Sequence, residues 1–238
     1  MPRPPKAARP PRHRVPKIAR FKPGDLNDQS LTLAGLAVPE HKSGRVLLIA
    51  CGALAREILD IKALGGWDHL DLTCLPAILH NHPDRITKAV EAAINKYRAT
   101  YDHLYVAYAD CGTGGQLQSA CDRLGVDMIK GPHCYSFFEG NTAFANRDEI
   151  TAFYLTDFLA RQFDAFVWTP LGLDRHPALR ETYFSHYTKL VYLAQTNDPA
   201  LTAKAKTCAT RLGLRFERRQ TGYGDLQSTL ASWAAKSP

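Results

Sequence analysis

From residue 45 onward, short apolar runs alternate with segments whose apolar residues recur at helical spacing. This alternation is typical of a parallel β-sheet that is covered by helices on both faces. It predicts strands at residues 45–50, 71–75, 103–109, 127–129, 165–169, 189–194 and 215–218. It predicts helices at residues 53–64, 83–99, 115–124, 147–162, 177–186, 200–212 and 225–235. We therefore expect an α/β fold with one doubly wound, mostly parallel sheet, in a Rossmann-like three-layer arrangement.

The first 24 residues differ from the rest of the chain in charge and in proline content. Residues 1–22 contain eight of the 30 Lys and Arg residues and no acidic residue, so the remainder has 22 basic and 23 acidic side chains. Seven of the 15 prolines also lie in the first 24 residues. We predict a disordered, basic, Pro-rich arm at 1–24 and a single α/β domain at 25–238. We do not expect a nucleic-acid partner; if nucleic acid binds, it should do so through this arm.

The six cysteines show no close pairing pattern, and the sequence has neither the apolar core of an export signal nor an apolar run long enough for a membrane span. This pattern indicates that the cysteines are reduced thiols or metal ligands and do not form a disulfide framework. We therefore expect a cytoplasmic protein that does not interact with membranes.

Cys51 follows the first predicted strand directly and precedes a predicted helix. In doubly wound sheets, ligands bind outside the carboxyl ends of the strands. Because a helix N-terminus favours a thiolate, this position predicts a lowered pKa for Cys51, although the side chain could equally pack as a small apolar group.

The segment after the third predicted strand reads Asp110-Cys111-Gly112-Thr113-Gly114-Gly115. Three glycines in four positions let the backbone approach a ligand, and their N–H groups can bind an anion. We predict that Gly112, Thr113, Gly114 and Gly115 bind a cofactor or a small-molecule anion, with Asp110 as a proton-transfer group. The alternative is an ordinary glycine-rich turn.

Cys134 follows the fourth predicted strand, next to His133 and before the aromatic residues Tyr135, Phe137 and Phe138. Three thiols at neighbouring strand ends predict a metal site formed by Cys51, Cys111 and Cys134, with zinc or an iron–sulfur cluster as the expected cofactor. No CxxC pair supports this prediction, which depends on the topology alone.

Further polar residues follow later strands. Arg175 suits a substrate carboxylate or phosphate, and His80 or His176 suits a general base or a metal ligand. We place Arg175 and His176 with Asp110 as candidate catalytic residues, although each is also typical of a cap or of a surface position.

Seven segments together resemble one family over residues 45–230: IACGAL, LPAILHNHP, YADCGTGG, HCYSFF, LTDFLAR, LGLDRHP and LVYLAQT. The chain resembles the prokaryotic domain-of-unknown-function family 1638, and only the N-terminal arm departs from its pattern. The resemblance implies no established reaction. It suggests a one-carbon or corrinoid accessory role, because related proteins occur in organisms that use corrinoid-dependent methyl transfer.

Two functions follow from these features. The first is a metal- or thiolate-dependent enzyme that acts on a small anionic substrate by methyl, one-carbon or sulfur transfer. The second is a non-catalytic module that binds a cofactor or assists corrinoid methyl transfer. Sheets of this type support many chemistries, so the fold does not choose between the two.

Overall fold

A computed structural model describes residues 26–39 and 45–236, so the predicted arm lies outside the described residues. The strands form two parallel sheets rather than one. The first sheet has the order β2-β1-β3-β4, and the second has the order β5-β6-β7. The strands are β1 Val46–Cys51, β2 Leu70–Leu75, β3 His103–Ala107, β4 Asp127–Met128, β5 Ala152–Leu155, β6 Lys189–Ala194 and β7 Arg215–Gln220.

Helices connect the strands in both halves of the chain. They are α1 Asp28–Leu33, α2 Ala55–Gly65, α3 Pro83–Tyr97, α4 Gln116–Leu124, α5 Ser136–Glu139, α6 Asn141–Asn146, α7 Asp157–Arg161, α8 Leu179–Phe184, α9 Pro199–Leu212 and α10 Gly224–Lys236. Single 3₁₀ turns span Gly52–Leu54 and Ala77–Asn81, and a π-helical turn spans Asp164–Trp168.

The predicted α/β class with mostly parallel strands is confirmed, and most element positions agree with the sequence pattern. The strand predicted at 189–194 coincides with β6. Pro83 opens α3, and Gly213 ends α9 in the left-handed conformation expected of a C-cap. The single doubly wound sheet is replaced by two separate sheets, because β4 is a two-residue edge strand and the next strand, β5, pairs with β6 instead of with β4.

Two predicted elements are wrong. The segment at 147–162, predicted as one helix, forms strand β5 and then the short helix α7. The segment at 165–169, predicted as a strand, forms the π-helical turn, in which Val167 packs into the core of the second sheet. A short apolar run does not distinguish a buried strand from a buried helical turn, which explains the second error.

The last helix, α10, returns to the first half of the chain. Leu226, Leu230 and Trp233 are buried in the same core as the first sheet, and the Trp233 ring stacks on Tyr105 of β3 with a centroid distance of 4.7 Å. The helix also packs on α2 and α5. The first sheet is therefore completed by an element that follows the second sheet in sequence.

Within the described ranges, no helix combines the length and the apolar character that a membrane crossing requires.

Candidate active site

The carboxyl ends of β3 and β4 lead into two loops that are held against each other by their backbones. The N–H of Asp110 donates to the carbonyl of Gly131 (3.0 Å), and the N–H of Cys111 donates to the carbonyl of Pro132 (3.1 Å). These bonds fix the relative position of the two loops, and Cys111 and Cys134 meet between them.

The glycine-rich turn binds a carboxylate of the chain itself. Gly115 and Gly114 donate their N–H groups to the Asp110 carboxylate at 2.6 and 3.1 Å, and the Thr113 hydroxyl donates to it at 2.8 Å. Burial raises the pKa of Asp110, but these donors outweigh burial and lower it below its ordinary value. The N–H groups that we predicted to bind a ligand anion are thus occupied, and the roles of these residues in ligand binding stay predictions.

This turn also sets the position of Cys111. Its backbone has φ of +47°, a left-handed conformation that non-glycine residues seldom adopt. Such conformations persist where the surroundings fix them, and here the Asp110 bonds and the bond to Pro132 do so.

The thiol groups of Cys111 and Cys134 are in direct contact, with 3.3 Å between the two Sγ atoms. The hydrogen bond from Cys134 lowers the pKa of Cys111 well below that of an ordinary thiol, while burial opposes this change and His80 adds to it. The same hydrogen bond and burial raise the pKa of Cys134. These opposite shifts favour a thiolate on Cys111 and a thiol on Cys134.

Cys51, at the end of β1, has different properties. Burial raises its pKa to about 12, although the N–H of Ala53 and the Tyr108 hydroxyl act in the opposite direction. The predicted lowering of the Cys51 pKa is therefore wrong, because burial outweighs the effect of the short 3₁₀ turn that follows. Cys51 is a neutral thiol beside the Cys111–Cys134 pair.

A cavity of about 250 Å³ opens beside the thiols, between the two halves of the chain. Cys51, Cys134 and His80 line it, and we call it the thiol cavity. Cys111, which contacts Cys134, is not part of the lining and is 6% exposed. Most of the wall is apolar, with aromatic side chains from both halves: Tyr135, Phe138, Phe153, Tyr154 and Phe166. Among the described residues, no Lys or Arg lines this cavity.

Aromatic contacts hold part of this wall in place. The Tyr135 ring stacks on His133 (4.8 Å between centroids) and on Tyr154 of β5 (5.4 Å). Burial lowers the pKa of His133, which favours a neutral imidazole. His133 is therefore a stacking partner of Tyr135.

The remaining predicted site residues lie apart from the thiols. Arg175 and His176 are exposed in the segment before α8, and neither lines the thiol cavity. Arg175 faces the neighbouring Asp174 at 3.8 Å. Their catalytic roles stay predictions.

Two residues of the site carried little signal in the sequence. Tyr108 is almost fully buried next to the cysteines, and it reads in sequence as an ordinary strand residue. His80 was one of two open alternatives, and its position after β2, the strand beside β1, is the signal that distinguishes it from His176.

Within residues 26–39 and 45–236, no three His, Cys, Asp or Glu side chains are arranged ready to hold a metal ion. The predicted set of Cys51, Cys111 and Cys134 therefore does not form a ready metal site in this arrangement. The metal site therefore stays a proposal.

Comparison with known proteins gives one match. A family model described as protein of unknown function (DUF1638) matches residues 74–230. The matched range includes His80, Cys111 and Cys134, and it begins after β1, so Cys51 lies outside it. No curated protein and no solved structure matches the chain.

Proposed function

For this chain, which belongs to the DUF1638 family of proteins of unknown function, we propose a thiol-dependent enzyme that transfers a small group at the Cys111–Cys134 pair. The observation that carries this proposal is the 3.3 Å contact between the Sγ atoms of Cys111 and Cys134, together with the position of Cys134 in the lining of the thiol cavity. A nucleophile within hydrogen-bond reach of its base, with a third group beside the base, is the common arrangement of covalent catalysis.

In the proposed step, Cys134 is the nucleophile and Cys111 is the base. The Sγ of Cys134 forms a bond to an electrophilic carbon or sulfur atom of the substrate, and the leaving group departs with the electron pair of the broken bond. The proton of Cys134 moves to the Cys111 thiolate across the 3.3 Å contact. His80 interacts with Cys111 and favours its charged form before the step.

The thiol cavity indicates the character of the substrate. Its size suits a small molecule, and its aromatic wall suits an apolar body and excludes water from the thiols. Methyl, one-carbon and sulfur transfer all fit attack by a thiol. The expected anionic substrate has less support, because the glycine-turn N–H groups bind Asp110 and the lining described here has neither Lys nor Arg. Such chemistry requires reduced thiols, so we also propose a cytoplasmic location.

Alkylation tests this proposal. The wild-type protein, Cys134→Ser, Cys111→Ser and the control Cys208→Ala are treated with iodoacetamide from pH 5 to pH 10, and the modified cysteine is identified by peptide mass spectrometry. We expect modification of Cys134 with a midpoint below the ordinary thiol pKa of about 8.5. The rate should follow the ionisation of the base Cys111, whose pKa is lowered, and not the raised pKa of Cys134 itself. Cys111→Ser should raise this midpoint, because the base is lost, and Cys208→Ala should leave it unchanged.

A midpoint at or above the ordinary value in the wild-type protein would contradict the proposal. Iodoacetate is a matched anionic reagent for the same thiol. If iodoacetamide reacts faster than iodoacetate relative to free cysteine, the apolar substrate class is supported. The opposite order supports the anionic class.

A metal centre is the second candidate, and the same thiol contact favours it. Two sulfur atoms in contact, with His80 beside one and Cys51 nearby, are the soft donors that zinc and iron–sulfur clusters prefer. Elemental analysis of anaerobically purified protein tests it. Near-stoichiometric zinc or iron that both Cys111→Ser and Cys134→Ser remove would support the metal centre, and wild-type protein without metal would contradict it.

The non-catalytic alternative is a module that holds a cofactor or assists corrinoid methyl transfer. The thiol cavity, at about 250 Å³, is smaller than pockets that enclose drug-sized ligands, so it cannot enclose a corrinoid. A corrinoid would have to contact the outer edge of the cavity while bound to a partner. Tight cofactor retention with ordinary thiol reactivity would favour this alternative.

A further inference from the structure

A second cavity, of about 260 Å³, lies between α2 and the carboxyl ends of β5 and β6. None of the three cysteines of the candidate active site lines it. Its polar lining includes Glu57 and Asp60 from α2 and Arg161 from α7, and its apolar lining includes Leu59 and Leu201. We call it the acidic cavity, because its lining also contains Asp157 and Asp198 and therefore has more carboxylates than the two arginines, Arg56 and Arg161, can balance.

Glu57 is buried in this lining without a full set of partners. Its side chain is 4% exposed, and its Oε2 atom has no hydrogen-bond partner among the described residues. A buried carboxylate oxygen without a donor is costly. A ligand that brings a donor to Glu57 would remove this cost.

Arg161, which also lines this cavity, has hydrogen-bond donors that lack an acceptor within the described ranges. Its Nε atom lies 2.8 Å from an Asp28 carboxylate oxygen in an ion pair, but neither Nε nor Nη2, both buried, makes a hydrogen bond of good geometry to the described residues. The unsatisfied atoms are thus an acceptor on Glu57 and donors on Arg161, and both side chains line the same cavity.

The other polar groups of the lining are already occupied. Asp157 accepts from Tyr192 (2.6 Å) and from Thr196, and Asp198 accepts the first N–H groups of α9. Asp60 is the exception: among the described residues it accepts a side-chain hydrogen bond from the Tyr223 hydroxyl (3.0 Å) and from no other side chain, so it has room for a further donor. A ligand that fits this cavity should therefore donate hydrogen bonds to the carboxylates of Glu57 and Asp60 and accept hydrogen bonds from the guanidinium group of Arg161.

We propose that the acidic cavity binds a free amino acid with a short apolar side chain. The ammonium group contacts Glu57 and Asp60, and the carboxylate contacts Arg161. The side chain packs on Leu59 and Leu201. A simple amine would leave Arg161 unsatisfied, and a simple carboxylate would leave Glu57 unsatisfied. This site is separate from the thiol cavity and does not depend on the proposed enzyme.

Binding should release protons from Glu57. Burial raises the pKa of Glu57 to about 7, so the side chain is mostly protonated at pH 6, whereas an ammonium ligand requires the carboxylate. The charged groups around the cavity that act on it or line the same wall are Arg56, Asp60, Asp157, Arg161 and Asp198. Calorimetry at pH 6 in two buffers with different ionisation enthalpies measures this release.

The test is isothermal titration calorimetry on the full chain with three matched probes: L-leucine, 3-methylbutylamine and 4-methylpentanoate. The amine lacks the carboxylate of leucine, and the acid lacks its ammonium group. We expect leucine to bind at least about tenfold more tightly than either analogue. Glu57→Gln and Arg161→Met should each weaken leucine binding by about tenfold or more, and the exposed control Glu181→Gln should leave it unchanged.

Three outcomes would overturn the proposal. Leucine could fail to bind the wild-type protein. The amine could bind as tightly as leucine, which would indicate a cation site. Glu57→Gln could bind leucine as tightly as the wild-type protein, with the same proton release. Circular dichroism of each variant establishes that it is folded, so a lost affinity is not confused with unfolding.

Discussion

Glu57 is a single residue whose environment makes the stability of the whole fold depend on pH. It is buried in α2 and faces Arg161, Asp157 and Asp60, and burial raises its pKa from the ordinary 4.5 to about 7. The folded state therefore holds this proton more tightly than the unfolded chain does. Its contribution to stability is complete below the unfolded pKa and is lost as the pH rises through about 7.

Glu57→Gln should remove this pH dependence, because glutamine does not titrate. Between pH 4.5 and pH 8, the free energy of unfolding of the variant should gain up to about 3 kcal/mol relative to the wild-type protein. Urea unfolding across this range, without added amino acids, measures the difference. Parallel stability curves for the two proteins would contradict the raised pKa.

Asp110 positions Cys111 by holding the glycine-rich turn in place. Its carboxylate accepts hydrogen bonds from Gly114, Gly115 and Thr113 and so holds the turn that places Cys111. Asp110→Ala should cost about 1 to 2 kcal/mol, because these donors are partly exposed and water replaces the carboxylate. It should also slow the alkylation of Cys134 at pH 7, because Cys111 loses its fixed place. The matched control is Asp174→Ala, in an exposed segment.

At the scale of elements, one carboxylate joins the ends of β5 and β6. Asp157, the first residue of α7, is almost fully buried and accepts hydrogen bonds from Tyr192 (2.6 Å), the Thr196 hydroxyl (2.6 Å) and the N–H groups of Gln195 and Thr196. These contacts hold α7 against the second sheet, next to both cavities.

Asp157→Ala should therefore be strongly destabilising. It leaves a buried Tyr192 hydroxyl and two backbone N–H groups without an acceptor, which should cost at least about 3 kcal/mol. Thermal unfolding followed by circular dichroism measures this loss. A change of less than about 1 kcal/mol would mean that other groups or water can replace the carboxylate.

Most elements could be predicted because the spacing of the apolar residues and the positions of the turn residues indicated the same boundaries. Pro83 at the start of α3 and strand β6 between its flanking helices are examples. The region 147–168 could not, because its signals conflict. Phe153 and Tyr154 favour a strand, whereas the following segment is apolar at helical spacing, and only Thr156, which caps α7, marks the boundary. Thr156 interpreted as an N-cap predicts a helix that begins at residue 157, with a separate strand before it.

The candidate site could be predicted only in part, for a similar reason. The ends of β1, β3 and β4 can be read from the sequence, so the region of Cys51, Cys111 and Cys134 can be expected. The ionisation of each thiol cannot, because it depends on burial and on a 3.3 Å contact between residues 23 positions apart. The acidic cavity is formed by residues from both halves of the chain, so local patterns do not predict it.

At the scale of the whole molecule, the two cavities lie where the two halves meet, and α10 fixes the first half. The start of α10 makes a close approach: a Cβ atom at Gly224 would lie 2.3 Å from the carbonyl oxygen of Phe137, and φ is +46°. Asp225 accepts the N–H of Asn141 at 2.7 Å. Further along, Trp233 covers Tyr105 of the first sheet.

Two substitutions test this docking. Trp233→Ala should cost about 3 to 5 kcal/mol, because it removes a large buried aromatic side chain. Gly224→Ala should also be destabilising, because the new methyl group meets backbone atoms of α5 in a conformation that alanine rarely adopts. Lys236→Ala, at the end of the same helix, should change stability by less than about 0.5 kcal/mol. Chemical denaturation of the three variants measures these differences.

The return of α10 to the first sheet also determines how the chain can fold during its synthesis. β3 leaves the ribosome long before α10 does, and roughly 100 residues are translated between β4 and α10. At about 5 to 20 residues per second, the face that Trp233 covers is left bare for several seconds or more. During that time the nascent first half offers an apolar surface to chaperones, and its native structure is completed only after the second half has been made.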